Sequence, residues 1–96
     1  MRVMAKISIP VESGNRAIVN GALPSVIQRT AERWHPEAMY FAAFDGRRTA
    51  YLVFDLPGPQ DLPPFAEPFF TELNAEVEVA PVMDSADLQK GLAQLS

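Results

Sequence analysis

The dipeptide Asp45-Gly46, set between two apolar runs, constrains the fold of this chain more than any other local feature. Residues 39–44 read Met-Tyr-Phe-Ala-Ala-Phe, and residues 48–54 read Arg-Thr-Ala-Tyr-Leu-Val-Phe. Asp-Gly favours a two-residue type I′ turn, because glycine tolerates the positive φ angles of this turn and its twist matches that of a hairpin. The sequence therefore predicts an antiparallel hairpin centred on this turn.

The register of the hairpin follows from its turn. Side chains alternate between the two faces of a strand, so a slip of one residue would exchange the faces. On one face we expect the pairs Tyr40 with Tyr51, Ala42 with Thr49 and Phe44 with Arg47. On the other face we expect Met39 with Leu52, Phe41 with Ala50 and Ala43 with Arg48.

Strands are also predicted near both ends of the chain, where residues 3–9 and 77–81 alternate with a period of two. After an N-cap at Ser13, the apolar residues follow a helical spacing that is interrupted near Gly21. A more regular helix is predicted from about residue 24 to residue 34. His35-Pro36 is expected to end it.

The proline-rich segment 57–68 is too apolar for a linker. Phe65, Phe69 and Leu73 follow a helical spacing, so the segment predicts a broken helix whose two pieces are capped by Asp61 and Glu67. Asn74 is expected to end this helix in the left-handed conformation. After the last strand, Asp84 or Ser85 would cap a short helix. Its apolar stripe is Leu88, Leu92 and Leu95.

This order of elements predicts one α+β domain over residues 1–96, of the ferredoxin-like β-α-β-β-α-β type with an additional C-terminal helix. Right-handed crossovers give a four-stranded antiparallel sheet of order 4-1-3-2, with both main helices on one face. We expect the helices to cover Val3, Ala5, Ile7, Phe41, Leu52, Phe54, Val77 and Val79. The opposite face would carry Met4, Lys6, Ser8, Tyr40, Ala42, Phe44, Thr49, Tyr51, Val53 and Glu78.

That opposite face is unusually apolar for a surface in contact with water. A few hundred Å² of contiguous apolar surface marks an interaction site, and a second sheet packed against it would form a symmetric homodimer. Two alternatives stay open: the C-terminal helix covers the face within one chain, or the tyrosines tolerate water.

Composition limits the partners and the location. Eight Lys and Arg stand against twelve Asp and Glu, and the formal net charge is −4. Nucleic acids and acidic membranes bind clustered cations, so we expect neither as a partner, and an RNA-recognition function is disfavoured.

The chain has no cysteine, no apolar signal segment over residues 1–6 and no apolar run of the length, about 20 residues, that spans a bilayer. We therefore expect a cytoplasmic location.

Several short motifs distributed over nearly the whole chain carry a resemblance to a known group. They are Leu23-Pro24, Pro36-Glu37-Ala38-Met39-Tyr40-Phe41, Arg48-Thr49-Ala50, Leu62-Pro63, Ala66-Glu67-Pro68-Phe69-Phe70, Pro81-Val82-Met83 and Asp87-Leu88. In these the chain resembles small bacterial proteins with a ferredoxin-like, dimeric α/β-barrel arrangement and no established function. The resemblance implies the fold and a homodimer but no activity. Enzymes of this architecture include cofactor-independent monooxygenases and muconolactone-isomerase-like proteins, and this chain matches none of their active sites residue by residue.

The best cluster of candidate site residues lies on the face opposite the helices. It comprises Lys6, Ser8, Tyr40, Phe44, Tyr51 and Glu78, of which Lys6 and Glu78 are expected cross-strand partners. An apolar floor with a few polar groups suits a small organic ligand, and the same residues suit a dimer interface. His35 and Glu67 are weaker candidates, since each is explained by its place at a helix end. No spacing of ligands predicts a metal site, and no motif predicts a cofactor.

Two functions remain open from the sequence. The first is a homodimeric module whose inter-sheet space is packed or holds a small aromatic or lipophilic molecule. The second is a cofactor-independent oxygenase- or isomerase-like enzyme with Tyr40, Tyr51, His35 or Lys6 in acid-base roles. The enzyme predicts a pocket of at least about 300 Å³ beside the tyrosines.

Overall fold

The computed structural model describes residues 1–95, which form four strands and four α-helices. A 3-10 turn, Pro59–Asp61, precedes the third helix. The elements are β1 (Arg2–Ile9), α1 (Val11–Val19), α2 (Ala22–Trp34), β2 (Ala38–Phe44), β3 (Arg47–Asp55), α3 (Leu62–Leu73), β4 (Glu76–Pro81) and α4 (Ser85–Ala93).

The strands form one antiparallel sheet in the order β2-β3-β1-β4, which is the predicted order read from the opposite end. β1 lies inside the sheet, where Ala5 faces Leu52 of β3 on one side and Val79 of β4 on the other. The α+β class and the strand order predicted from the sequence are therefore confirmed.

The hairpin between β2 and β3 has the predicted turn and register. Asp45 and Gly46 have φ angles of 54° and 72°, as a type I′ turn requires. Tyr40 pairs with Tyr51, and all five of the other predicted pairs are present. Turn chemistry and alternation are local properties, which is why the sequence alone determined this element.

The hydrophobic core lies between the helices and one face of the sheet. β1 alternates strictly, so that Val3, Ala5 and Ile7 are at most 1% exposed. The helices contribute Val26 of α2 and Phe65, Phe69 and Leu73 of α3, all buried. Val77 and Val79 pack against this core at its margin.

A cluster of aromatic rings joins the two main helices to the sheet. The Phe65 ring stacks on the Phe54 ring with centroids 4.4 Å apart, and Trp34 meets both rings at 5.8 Å. Arg29 of α2 also forms an ion pair with Glu72 of α3, with 2.6 Å between Nη2 and Oε1. The packing of α2 beside α3 therefore has an apolar and a charged component.

The first helical segment begins earlier than predicted. α1 starts at Val11, directly after the extended residue Pro10, and Ser13 lies within the helix rather than at its N-cap. The Ser13 hydroxyl instead donates to the carbonyl oxygen of Pro10 at 3.2 Å. The interruption is where it was predicted, since Gly21 has a φ of 81° and separates α1 from α2.

The prediction of a broken helix in the proline-rich segment is wrong, since α3 runs without interruption through Pro68. Burial explains its continuity: proline within a helix costs about 3 kcal/mol, whereas three fully buried large side chains contribute about 1.5–3 kcal/mol each. Glu67 therefore lies inside the helix and caps nothing. Asp61 precedes α3 but accepts from the Gly58 N–H at 3.1 Å. Asn74 ends α3 in the left-handed conformation, as predicted.

The prediction that the helices cover Phe41 is also wrong. Phe41 points toward the helical side, as its pairing with Ala50 requires, yet 56% of its surface is exposed. β2 is an edge strand, and the buried positions of the sheet lie on β1 and β3. The helices therefore cover the middle of the sheet and leave the β2 edge open.

The two edges of the sheet differ in composition. β2 reads Ala-Met-Tyr-Phe-Ala-Ala-Phe and carries no charge. β4 carries Glu76 and Glu78 and ends at Pro81, all of them exposed. Charged residues and proline discourage the addition of another strand at an edge, so only β4 is protected in this way.

The C-terminal helix α4 has no buried residue. Asp84 caps it by accepting from the Asp87 N–H at 2.8 Å, and Arg2 of β1 lies 3.6 Å from the Asp84 carboxylate. Leu88 and Leu92 are 46% and 54% exposed. α4 therefore does not cover the sheet, and that alternative for the uncovered face is excluded.

Candidate functional site

The face of the sheet opposite the helices, called the open face below, is organised in rows that cross all four strands. One row contains four of the six main candidate residues, Glu78, Lys6, Tyr51 and Tyr40, each paired with the next. The adjacent row contains Ser8, which lies between Glu76 and Thr49. The sheet register thus places these candidates side by side.

The half of the open face formed by β2 and β3 is aromatic. Tyr40 is 71% exposed and Phe44 is 50% exposed. The Phe44 ring meets the Tyr51 ring at 5.8 Å, nearly perpendicular. Edge-to-face contacts of this kind add to the stability that burial of the rings provides.

The other half of the open face is charged. Lys6, Ser8 and Glu78 line a depression of about 330 Å³ together with Asp45, Arg47 and Glu76. The Arg47 guanidinium lies 3.9 Å from the Glu76 carboxylate. Three candidate residues therefore share a polar depression, and neither tyrosine lines it.

The two weaker candidates lie elsewhere. His35 ends α2 with a φ of 47°, and its N–H donates to the Ala31 carbonyl at 3.1 Å. Its role as a helix-end residue accounts for its position. Glu67 is exposed within α3, where its carbonyl oxygen accepts from the Thr71 hydroxyl at 2.8 Å. Neither residue belongs to the open face.

An apolar cleft on the helical side of the sheet was not predicted. It has a volume of about 380 Å³ and opens between α2 and the uncovered edge at β2. Its lining includes Leu23 and Ile27 of α2, Phe41 and Ala43 of β2, and Arg48 of β3. The small residues of β2 are the sequence signal for this cleft. They indicate a cleft only once it is known how far the helices extend over the sheet.

Within residues 1–95 no three or more His, Cys, Asp or Glu side chains are grouped so as to hold a metal ion. No helix in the same range has the length and apolar character needed to cross a bilayer. No protein-family profile matches the chain, and no curated protein matches its sequence.

Proposed function

We propose that this chain is a homodimeric module of ferredoxin-like topology that pairs through its open face, and that the space between the paired sheets can hold a small organic molecule. The observation that carries the proposal is an aromatic surface left uncovered by every other part of residues 1–95. Tyr40 and Phe44 contribute most of it.

The topology is supported by the order of elements and by the sheet. Strands and main helices follow each other as β-α-β-β-α-β once α1 and α2 are taken as one interrupted helical segment. The strand order is the one that right-handed crossovers generate, and the core lies on a single face.

The open face supplies a large part of the area that a stable interface needs. Four strands about 4.8 Å apart, with some seven residues rising about 3.3 Å each, project an area of roughly 400 Å². The accessible area of so rough a surface is larger, and a standard interface takes about 800 Å² from each partner. The exposed parts of Tyr40, Phe44 and Met4 alone supply about 300 Å² of it, since an aromatic side chain carries about 150–250 Å².

The open face carries charges of both signs. A two-fold interface brings the same surface together from both subunits. Lys6 and Arg47 supply two cations, and Asp45, Glu76 and Glu78 supply three carboxylates. Pairing of the open face with itself therefore does not bring together two surfaces of a single sign.

The helix α4 provides a second reason to expect a partner subunit. Its nine residues are too few for stable helicity in water, where isolated helices shorter than about 12–15 residues are marginal. No residue of α4 is buried, and Met83 just before it is also exposed. We include α4 in the proposed interface, where the second copy supplies the packing that stabilises it.

The polar depression on the open face gives the proposed dimer its ligand space. Facing sheets would enclose the residues around Lys6, Ser8 and Glu78 and place the tyrosines at the wall of the enclosed space. The enzyme hypothesis stays a prediction, restricted to Lys6 and the two tyrosines because His35 lies off this face. A hollow dimer interface would favour it, and a fully packed interface would oppose it.

Sedimentation equilibrium with two matched variants tests the dimer. We expect a mass about twice the 10.6 kDa of one chain at micromolar concentration. Tyr40→Glu places a charge in the interface and should raise the dimer dissociation constant at least about tenfold, because an unpaired buried charge is costly. Phe70→Glu alters an aromatic residue on α3 that is also exposed, 44%, and should leave the dimer unchanged.

A monomeric wild-type chain at these concentrations would contradict the proposal. Equal weakening by both variants would also contradict it, because the effect would then come from charge rather than from the open face. Truncation after residue 83 separates the two surfaces. We expect it to weaken the dimer while the far-UV circular dichroism of the remaining domain is retained.

A further inference from the structure

The apolar cleft between α2 and β2 has one charged side chain in its lining. Arg48 lines the cleft beside Ile9 and Ala50, and the remaining lining on α2 and α3 is apolar. Its Nη2 donates to the Asn15 Oδ1 at 3.0 Å. Thr49 is the other polar residue of the lining. A cation in a largely apolar lining is the arrangement that orients a ligand with one charged end.

The guanidinium of Arg48 lies against a glycine. A Cβ at Gly14 of α1 would lie 2.6 Å from the Arg48 Nη1, closer than such atoms approach. The side chain therefore packs across the bare backbone of α1 and reaches Asn15, the next residue. Glycine at this position leaves room for this contact.

Arg48 has no acidic partner in the described part of the chain. The ion pairs within residues 1–95 use Arg2, Arg16, Arg29, Arg47 and the N-terminal amine as cations. Asn15 is neutral, so the charge of Arg48 is left uncompensated. Its fork of N–H donors matches the geometry of a carboxylate.

We propose that the cleft binds a small carboxylic acid with an apolar chain or ring, whose carboxylate pairs with Arg48 and whose apolar body lies between Leu23, Ile27 and Phe41. This site is on the face of the sheet opposite the proposed dimer interface and does not depend on dimerisation.

The size of the cleft limits the ligand. A volume of 380 Å³ equals that of roughly a dozen water molecules in the liquid, at about 30 Å³ each. A chain of about eight carbons fits such a volume, and the volume is within the range of about 300–1,000 Å³ that small-molecule sites occupy. Octanoate is therefore a suitable probe.

Nuclear magnetic resonance titration of the full chain with octanoate, below its micellar concentration, tests the site. We expect saturable shifts of the Leu23 and Ile27 methyl groups and of the Phe41 and Ala50 amides. Octanol and octylammonium have the same chain length without the negative charge. Both should bind at least about tenfold more weakly, since a hydrogen bond to a charged partner is worth about one to two powers of ten in affinity.

Three variants locate the interaction. Arg48→Gln should weaken octanoate binding at least about tenfold and abolish its preference over octanol. Arg16→Gln removes the same charge from an exposed position of α1, where it pairs with Glu12, and should change the affinity by less than about twofold. Ala43→Phe places a ring at the exposed mouth of the cleft and should exclude octanoate and octanol alike.

Several results would overturn the site. These are the absence of saturable shifts, shifts centred on the open face, equal binding of octanoate and octanol, and equal effects of the two arginine variants. The comparison of octanoate with octanol uses the wild-type chain, so it holds even where a variant fails to fold. Occupation of the cleft by part of a second subunit would appear as exclusion of octanoate and would also count against the site.

Discussion

The rings of Phe44 and Tyr51 converge across the β2–β3 hairpin at 5.8 Å and an angle of 89°. They are not register partners, since Phe44 pairs with Arg47 and Tyr51 pairs with Tyr40. The two rings therefore lean toward each other along the strands. Thr49 lies between Arg47 and Tyr51 on β3 and is only 3% exposed on an otherwise open face.

A double-mutant cycle should measure this contact. We expect the coupling energy between Phe44→Ala and Tyr51→Ala to be about 0.5–1.5 kcal/mol in urea unfolding, as for other aromatic pairs. The same cycle between Phe44→Ala and Phe70→Ala should give no coupling, because Phe70 lies on α3 on the other side of the sheet. Zero coupling for the first pair would mean that the rings do not interact in solution.

Phe65 should be among the most sensitive positions of the core. Phe65→Ala removes a ring that is 1% exposed and contacts three other aromatic rings, so we expect a loss of about 3–5 kcal/mol in the free energy of unfolding. Phe70→Ala on the same helix removes the same atoms from a site that is 44% exposed and should cost less than about 1 kcal/mol. Equal losses, measured by chemical denaturation, would contradict the described orientation of α3.

His35→Gly should stabilise the protein. His35 ends α2 with a φ of 47°, a conformation that costs a residue with a Cβ about 1–2 kcal/mol, and glycine avoids this cost. Glycine also has a larger backbone entropy in the unfolded chain, which offsets part of this gain. We therefore expect the free energy of unfolding to rise by about 0.5–1 kcal/mol. Asn74→Gly, with a φ of 53°, should gain less because asparagine tolerates this region. A lower melting temperature for His35→Gly would oppose this account.

The helix α4 should lose stability in acid. The hydrogen bond from the Asp87 N–H lowers the pKa of the Asp84 carboxyl, and the nearby Arg2 guanidinium lowers it further. Because the folded pKa is below the unfolded one, the cap stabilises α4 at neutral pH. This stabilisation is lost as the pH falls below about 4 and through the folded pKa.

The Cα chemical shifts of residues 85–93, followed from pH 6 to pH 2, measure this loss of the cap. Asp84→Asn keeps an N-cap acceptor that does not titrate in this range, so α4 of the variant should retain more helicity at low pH than the wild type. The Asp87 carboxylate, which accepts from the residue 84 N–H and completes the capping box, is unchanged in this variant. Identical acid transitions in the two proteins would show that Asp84 has no such role.

Local chemistry explains which parts of the fold could be predicted. The turn at Asp45-Gly46 and the alternation of β1 depend on neighbouring residues only, and the hairpin was predicted pair by pair. The cross-strand pair of Lys6 and Glu78 was predicted from the strand order and is present. The pairing of Lys6 with Tyr51 was not predicted.

The remaining features depend on tertiary contacts that no local pattern reports. α3 continues through Pro68 because its aromatic face is buried, and the sequence shows the proline but not the burial. The cleft exists because α2 does not extend over β2. The position of a helix over a sheet is set by tertiary packing and is not given by a local sequence pattern. The close approach of Arg48 to Gly14 brings together residues from two elements distant in sequence. The sequence signal for this contact was a glycine inside a helix, a position where alanine would be favoured.

The difference between the two borders of the sheet limits how the protein can assemble. Only the uncharged border at β2 is suited to accept another strand, since β4 presents Glu76, Glu78 and Pro81. A sheet extended through β2 would therefore end after two copies, with an acidic, proline-terminated border on each outer side. This restriction concerns edge-to-edge extension of the sheet, and pairing through the open face uses neither border.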